Sequence, residues 1–269
     1  MTLIEKYKQA PVTVKELKLN LFTPFEKQKE ERIKEIIFEN DRFSIEIDGY
    51  RLNQIHRDIL DIAAYFGDTS LDKETKDKRP VRIFSLYTIQ KYLNYKSKNN
   101  NKWINKKFKE ISRSKISIKD KDDGSWIEFN IIDIAMWSAK LNKYAMVISE
   151  LYLAFFENEI SISYKHYLKD ILSLKNAQSK ALARFILSHS NSFRISLDKA
   201  MEKIGISNIS KRSFARNREK ILEDREGFKK LNITFKEGED FSYRNKNYII
   251  EYKKLPEIQI YHPLKNEDK

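Results

Sequence analysis

The chain has 269 residues, with 52 Lys and Arg against 39 Asp and Glu, a formal net charge of +13 and no cysteine. The missing cysteines exclude a disulfide-stapled module and a thiolate metal centre, and no run approaches the roughly 18 apolar residues of a membrane span. Hydrophobic residues make up 41% of the chain, enough for real cores in about two domains, and charge of this sign points to a polyanionic partner.

Residues 1–40 read as a flexible N-terminal tether with one apolar island, Leu19, Leu21 and Phe22. The stretch EKQKEERIKEIIFEN is helix-like, with Ile33, Ile36 and Ile37 able to dock it. The opening MTLIEKYKQAP has no apolar core of a secretory signal, so a cytoplasmic location is expected.

A first domain is expected over residues 41–142. Phe43, Ile45 and Ile47 alternate with polar residues as a strand does, and Asp48-Gly49 reads as a hairpin turn. LNQIHRDILDIAAYFG places Ile55, Ile59, Ile62, Ala63 and Phe66 on one helix face. That leaves Asp58 and Asp61 on a solvated face and His56 at the surface. VRIF is a short strand, and Ser85 caps the helix LYTIQKYL. In KWINKKFKEIS, Ile104, Phe108 and Ile111 face inward, so Lys102, Lys106 and Lys109 face outward with Trp103 at the flank. The strands KISIKD and SWIEFNI, joined by KDDG, read as a wing with Lys119 and Lys121 near its tip. Between Asn94 and Lys121 ten Lys and Arg stand against Glu110 and Asp120 alone. A surface so biased gives affinity that falls with salt as counterions are released from phosphates.

Residues 132–142 read as a linker, residues 143–255 as a second domain and 256–269 as a C-terminal tail. AQSKALARFILSHSN carries one apolar stripe, and Ser196 caps LDKAMEKIGI, which Gly205 ends. Ser210 then caps KRSFARNREKILED. On this helix Phe214, Ile221 and Leu222 share one side, while Arg212, Ser213, Arg216 and Lys220 share the other. Such a helix suits the DNA major groove: its apolar side anchors it, its Arg residues fork onto base edges and its Lys residues hold phosphates. LNITFKE and KNYIIEYKK form a closing hairpin, with Arg244 and Lys246 near its turn. The order of helices, basic helix and hairpin occurs twice, so the expected fold is α+β, two tandem winged helices behind a tether.

Catalytic readings find little support. The four histidines, His56, His166, His189 and His262, have no metal-ligand spacing, His189 being expected at the surface of a helix end. No phosphate-binding glycine loop occurs. Glu237, Glu239 and Asp240 would be the carboxylates of a metal-dependent nuclease, yet FKEGEDF reads better as a turn reversing at Gly238. No enzyme activity, cofactor or metal is expected. A transcriptional regulator with two winged helices is the nearer rival.

The stretches GYRLNQIHRDILDIAAYFG, ALARFILSHSNSFRISLDKAMEKIGI and FARNREKILEDREGFKKLNITF, in this order, resemble the plasmid replication initiators of the TrfA type, relatives of the iteron-binding Rep initiators. The resemblance spans about residues 43–253. It implies a bacterial cytoplasmic protein that binds direct repeats in double-stranded DNA at a plasmid origin and helps to open the adjacent DNA. It also implies contacts with single-stranded origin DNA and helicase-loading host proteins, and a homodimeric storage form. The family carries a peptide for the host sliding clamp ahead of its winged helices. Lys18-Leu19-Asn20-Leu21-Phe22 resembles its QL[SD]LF pattern through Leu19, Leu21 and Phe22, with Lys18 departing from Gln. That change loses an amide able both to donate and to accept.

Overall fold

In the computed structural model the described residues are 12–13, 16–17, 19, 21–25, 32–70, 81–94, 100–157, 160–207, 209–242 and 245–261. Chain order begins with β1 (Val12–Thr13), β2 (Ile33–Glu39), β3 (Phe43–Gly49), α1 (Gln54–Phe66), β4 (Asp68–Ser70) and β5 (Val81–Ser85). Then come α2 (Leu86–Tyr92), α3 (Asn101–Ser112), β6 (Lys115–Asp120), β7 (Trp126–Asn130), β8 (Ile132–Ser138) and β9 (Lys143–Ile148). The second half holds α4 (Glu150–Glu157), β10 (Ser161–Ser163), α5 (Leu168–Ser173), α6 (Ala177–Leu187), β11 (Phe193–Ser196) and α7 (Leu197–Lys203). It closes with α8 (Lys211–Glu223), α9 (Arg225–Lys229), β12 (Ile233–Ser242), β13 (Asn245–Tyr252) and β14 (Gln259–Tyr261). The described strands pair in four sheets, in the orders β1-β10-β14, β11-β13-β12, β2-β3-β6-β7 and β4-β5-β9-β8.

One connectivity occurs twice. In the first unit α1 leads to β5, α2, α3 and the hairpin β8-β9; in the second α6 leads to β11, α7, α8 and the hairpin β12-β13. In both, the early strand pairs with the later strand of the hairpin, giving β5-β9-β8 and β11-β13-β12. Local chemistry sets the helix starts. Ser85, Ser196 and Ser210 each accept a first-turn backbone N–H at α2, α7 and α8. At α1, Asn53 Oδ1 accepts from Ile55 N (3.2 Å) while His56 Nδ1 accepts from Asn53 N (2.9 Å), a reciprocal cap.

The pairings correct several expectations. Of the stretch read as a helix, Ile33–Glu39 is β2, because docking along β3 overrides its 3–4 spacing of isoleucines, and a register shift between Ile36 and Phe38 accommodates it; residues 26–31 lie outside the described residues. The residues read as a linker are β8 and the turn that follows it, and β9 pairs with β5 of the first unit, so the expected boundary at 142/143 cuts through a hairpin. The β6-β7 hairpin read as the first wing belongs to a separate sheet with β2 and β3. Gly49 is not a hairpin turn: at φ +137° its missing Cβ lets the backbone pass Arg113 O, which a Cβ would meet at 2.5 Å. The C-terminal tail is not free up to Tyr261, since β14 pairs with β10. The closing hairpin reverses between Ser242 and Asn245 and not at Gly238.

The described part of the N-terminal stretch is not a tether. Val12 and Thr13 pair with Ile162 and Ser161, and Leu19, Leu21 and Phe22 are buried in the apolar core that runs through both units. Each such side chain stabilises its docking by roughly 1.5–3 kcal/mol, which holds the segment on the fold. Held so, the three residues are not presented to a clamp pocket. Lys18 and Asn20 lie outside the described residues.

Between the units lies a cluster of buried charges, of which Asp58 and Asp61 were expected on a solvated face. Asp58 and Asp61 are 0% exposed, because α1 is covered by α6. Asp58 accepts from Lys180 Nζ and Arg184 Nη2, both at 2.6 Å; Asp61 accepts from Arg184 Nη2 at 2.9 Å and Arg57 Nε at 2.7 Å. Glu16 brings the N-terminal segment in, accepting from Arg57 Nη1 (2.9 Å) and the Tyr152 hydroxyl (2.6 Å). Glu16, Asp58 and Asp61 thus balance Arg57, Lys180 and Arg184, which is what burial of such groups requires. Burial alone would raise the Asp58 carboxyl, yet Lys180 and Arg184 hold it below the usual range.

Candidate nucleic-acid interface

Helix α3 divides as its sequence indicates. Ile104, Phe108 and Ile111 are buried, Lys102, Lys106 and Lys109 are exposed, and Trp103 packs half-buried against the core. The exposed side opens on a groove of about 460 Å³ lined by Tyr50, Lys102, Asn105, Lys106, Lys109, Glu110 and Arg113. Three Lys and one Arg on a concave wall make a surface for an anionic backbone.

The floor of this groove is fixed from below. Glu110 lies on the inner side of α3, 5% exposed, and takes Lys107 Nζ at 2.7 Å and His56 Nε2 at 2.8 Å. Because His56 Nδ1 accepts from Asn53, its proton sits on Nε2 and is donated to Glu110. Burial, opposed by the bond to Glu110, keeps the His56 pKa below its usual value, so the ring is neutral near pH 7. His56, expected at the surface, is therefore a cap and strut, 1% exposed. On the groove wall the Tyr144 hydroxyl donates to Asn105 Oδ1, and burial pushes that phenol up, so it remains a donor. Asn105 and Tyr50 were not singled out by sequence; only pairing of β9 beside α3 brings Tyr144 to Asn105.

Helix α8 carries the second basic face. Arg212 and Arg216 are exposed and Lys220 is half-exposed, while Ile221 is buried and Phe214 and Leu222 pack partly buried against the core. Ser213 helps to close the start of the helix, since its N–H donates to Ser210 Oγ at 3.2 Å and its own oxygen accepts from Ser210 at 3.0 Å. Arg218 is turned from this face, gripping both oxygens of Asp198 at 2.5 and 2.6 Å and lying 5.8 Å over the Phe214 ring. Asn217, 9% exposed, accepts from Gln178 Nε2 of α6 at 2.9 Å. Sequence reasoning could have found Arg218 by its opposite-charge partner only with the fold in hand.

The structure separates the expected wing residues. Lys121 Nζ is engaged with Asn40 O and Glu39 Oε1, each at 2.8 Å, and Lys115 pairs with Glu128 at 3.7 Å. Lys119 is exposed and stands opposite Trp126, itself 67% exposed. The β6-β7 face therefore mixes charges instead of continuing the α3 cations. By connectivity the first unit's counterpart of β12-β13 is β8-β9, whose turn carries exposed Lys140 and Lys143. Arg244 lies outside the described residues, as does the side chain of Lys246. Among the described residues no group of three His, Cys, Asp or Glu could hold a metal, and no helix is long and apolar enough to cross a membrane. Glu237 sits on β12, where Tyr248 approaches it at 3.5 Å; the side chains of Glu239 and Asp240 lie outside the described residues. His189 is half-buried, stacked on Phe193 at 4.2 Å.

No family model and no curated protein matches this chain. Solved structures do. The selenomethionine form of domains 2 and 3 of RctB matches with a TM-score of 0.62 at 10% identity, over 89% of this chain and 97% of that one. A second structure of RctB domains 2–3 gives 0.54 at 10%, over 87% and 95%. The Pi initiator protein in complex with iteron DNA gives 0.50 at 16%, over 75% and 91%. At such identities the likeness is one of fold. The chain has the fold of RctB domains 2 and 3 and of the Pi initiator protein.

Proposed function

We propose that the chain is a replication initiator of the iteron-binding Rep type, with two winged helices that read direct repeats in duplex DNA at a plasmid origin. The observation that carries this reading is the pair of exposed cationic faces, Lys102, Lys106 and Lys109 on α3 and Arg212 and Arg216 on α8, at equivalent places in a repeated connectivity. The fold is shared with an initiator seen on iteron DNA. In this reading the Arg residues of α8 meet base edges and the Lys residues of α3 hold phosphates. The hairpins β8-β9 and β12-β13 are the wings, with Lys140 and Lys143 replacing Lys119 and Lys121 as first-wing contacts. The protein acts without enzyme chemistry of its own, in the bacterial cytoplasm, and opens the origin together with host helicase-loading proteins.

The test is to tile the DNA flanking the gene in duplexes of about 40 base pairs, roughly four helical turns, and measure binding by fluorescence anisotropy. One region with direct repeats binds well above the rest, and a plasmid carrying that region and the gene replicates in a host that cannot use its other origin. Equal binding by all tiles sinks the sequence-reading claim. Selective binding without replication hands the protein to the regulator reading.

A further inference from the structure

The two basic helices are joined through α1 and α6 by three sets of buried polar contacts. Glu110 on α3 meets His56 on α1 at 2.8 Å. From α1, Gln54 and Asp58 each take Arg184 of α6 at 2.6 Å, and Asp58 takes Lys180 at 2.6 Å. From α6, Gln178 reaches Asn217 on α8 at 2.9 Å. Every one of these residues is less than one-tenth exposed. Apolar surfaces of two helices can slide by a fraction of a turn at small cost, because dispersion and burial have no direction. A buried ion pair cannot, since a shift of one step leaves charges without partners in a poorly polarisable interior.

Resting on the DNA-reading assignment of α3 and α8, we infer that this polar line fixes the separation and rotational phase of the two reading helices. Asp58, Lys180 and Arg184 are then positioning residues that set which spacing of half-sites the protein accepts. They touch no DNA. Their effect is to make the two units one rigid caliper, so a site with the right bases at the wrong spacing is rejected by geometry. Glu16 adds the N-terminal segment to the same lock through Arg57.

The test uses the full chain carrying Asp58→Leu with Lys180→Met, which removes one charge pair together and leaves Arg184 on Asp61. Such replacement of a buried pair by apolar side chains is often neutral for stability, and a thermal melt verifies the fold. Gln178→Met with Asn176→Ala, which removes the side-chain bonds from α6 to Asn217 and to Lys220 O on α8 without touching a charge, is made beside it and decides the matter if the double variant does not fold. Because the chain has no cysteine, spin labels placed by Lys109→Cys and Glu219→Cys report the α3-to-α8 distance without DNA. The expected result is a distance distribution at least about twofold broader in the variants than in the unaltered chain. A duplex selected by the unaltered chain is then given two extra base pairs between its halves, a rotation of about 70°. The unaltered chain should lose at least about 30-fold in affinity and the double variant under about fivefold. Equal widths and equal losses overturn the inference. If the unaltered chain selects no duplex, the DNA reading falls, while the label distances still decide whether the polar line holds the two helices in register.

Discussion

Arg184→Leu is the single change expected to cost the fold most. Its guanidinium is 0% exposed and donates to Gln54 Oε1, Asp58 Oδ1 and Asp61 Oδ2 at 2.6, 2.6 and 2.9 Å, with the Tyr164 hydroxyl 3.3 Å away. Removal leaves Glu16, Asp58 and Asp61 against Arg57 and Lys180, so one negative charge stays buried without a partner. Breaking a buried pair in this way costs roughly 3–5 kcal/mol, which at roughly 2–4 °C per kcal/mol for a chain near this size lowers Tm by roughly 6–20 °C. The loss depends on pH. In the unaltered chain the Asp58 carboxyl is held below the usual range, so its contribution is present above that range and fades as pH falls through it. In the variant Asp58 keeps its burial but loses one of two cations, so its pKa rises, and its protonation on acidification relieves the unpaired charge. The Tm deficit is thus largest near pH 7.5 and shrinks toward pH 4.5, close to the ordinary carboxyl value of about 4. Differential scanning calorimetry at both values measures it, with Glu226→Gln as control for an exposed pair, Lys229 to Glu226. A deficit no larger than the control's, or one equal at both pH values, refutes the reasoning.

Further expectations concern the interface and the N-terminal segment. Arg216→Ala should cost roughly 1–3 kcal/mol on the selected duplex and much less on random DNA; equal loss on both would show that Arg216 reads no base. Replacing Lys102, Lys106 and Lys109 together by alanine should flatten the slope of log affinity against log salt by about 0.9 for each phosphate no longer neutralised, and an unchanged slope would place α3 off the DNA. Burial keeps the His56 pKa below its unfolded value, so its share of stability is full above about pH 6.5 and is lost as pH falls from there. His56→Gln, which can still cap Asn53 and donate to Glu110, should remove that slope in urea titrations between about pH 5 and 7, and persistence of the slope would assign it to another group. Leu21→Ala and Phe22→Ala should each destabilise by roughly 2–5 kcal/mol; melts indistinguishable from the unaltered chain's would restore the tether.

What the sequence by itself determined is local. Its charge balance and the angular split of α3 and α8 are properties of single helices, so Lys102, Lys106, Lys109, Arg212 and Arg216 could be placed outward from spacing alone, and the structure leaves them there. Ser85, Ser196 and Ser210 were readable as caps because a cap is satisfied within one turn. Pairing between distant segments was not readable. Whether Ile132–Ser138 is linker or strand depends on β9, and whether β9 closes the first unit or opens the second depends on β5, which meets it from Val81 opposite Val147 to Ser85 opposite Lys143. The same holds for polarity. Asp58, Asp61, Arg57 and His56 lie on a helix face that period alone assigns to water, and only α6 with Lys180 and Arg184, the N-terminal Glu16 and the α3 Glu110 allow them to be buried. A buried charge is decided by its partner, and the partners here come from other elements that tertiary packing alone brings within 3 Å.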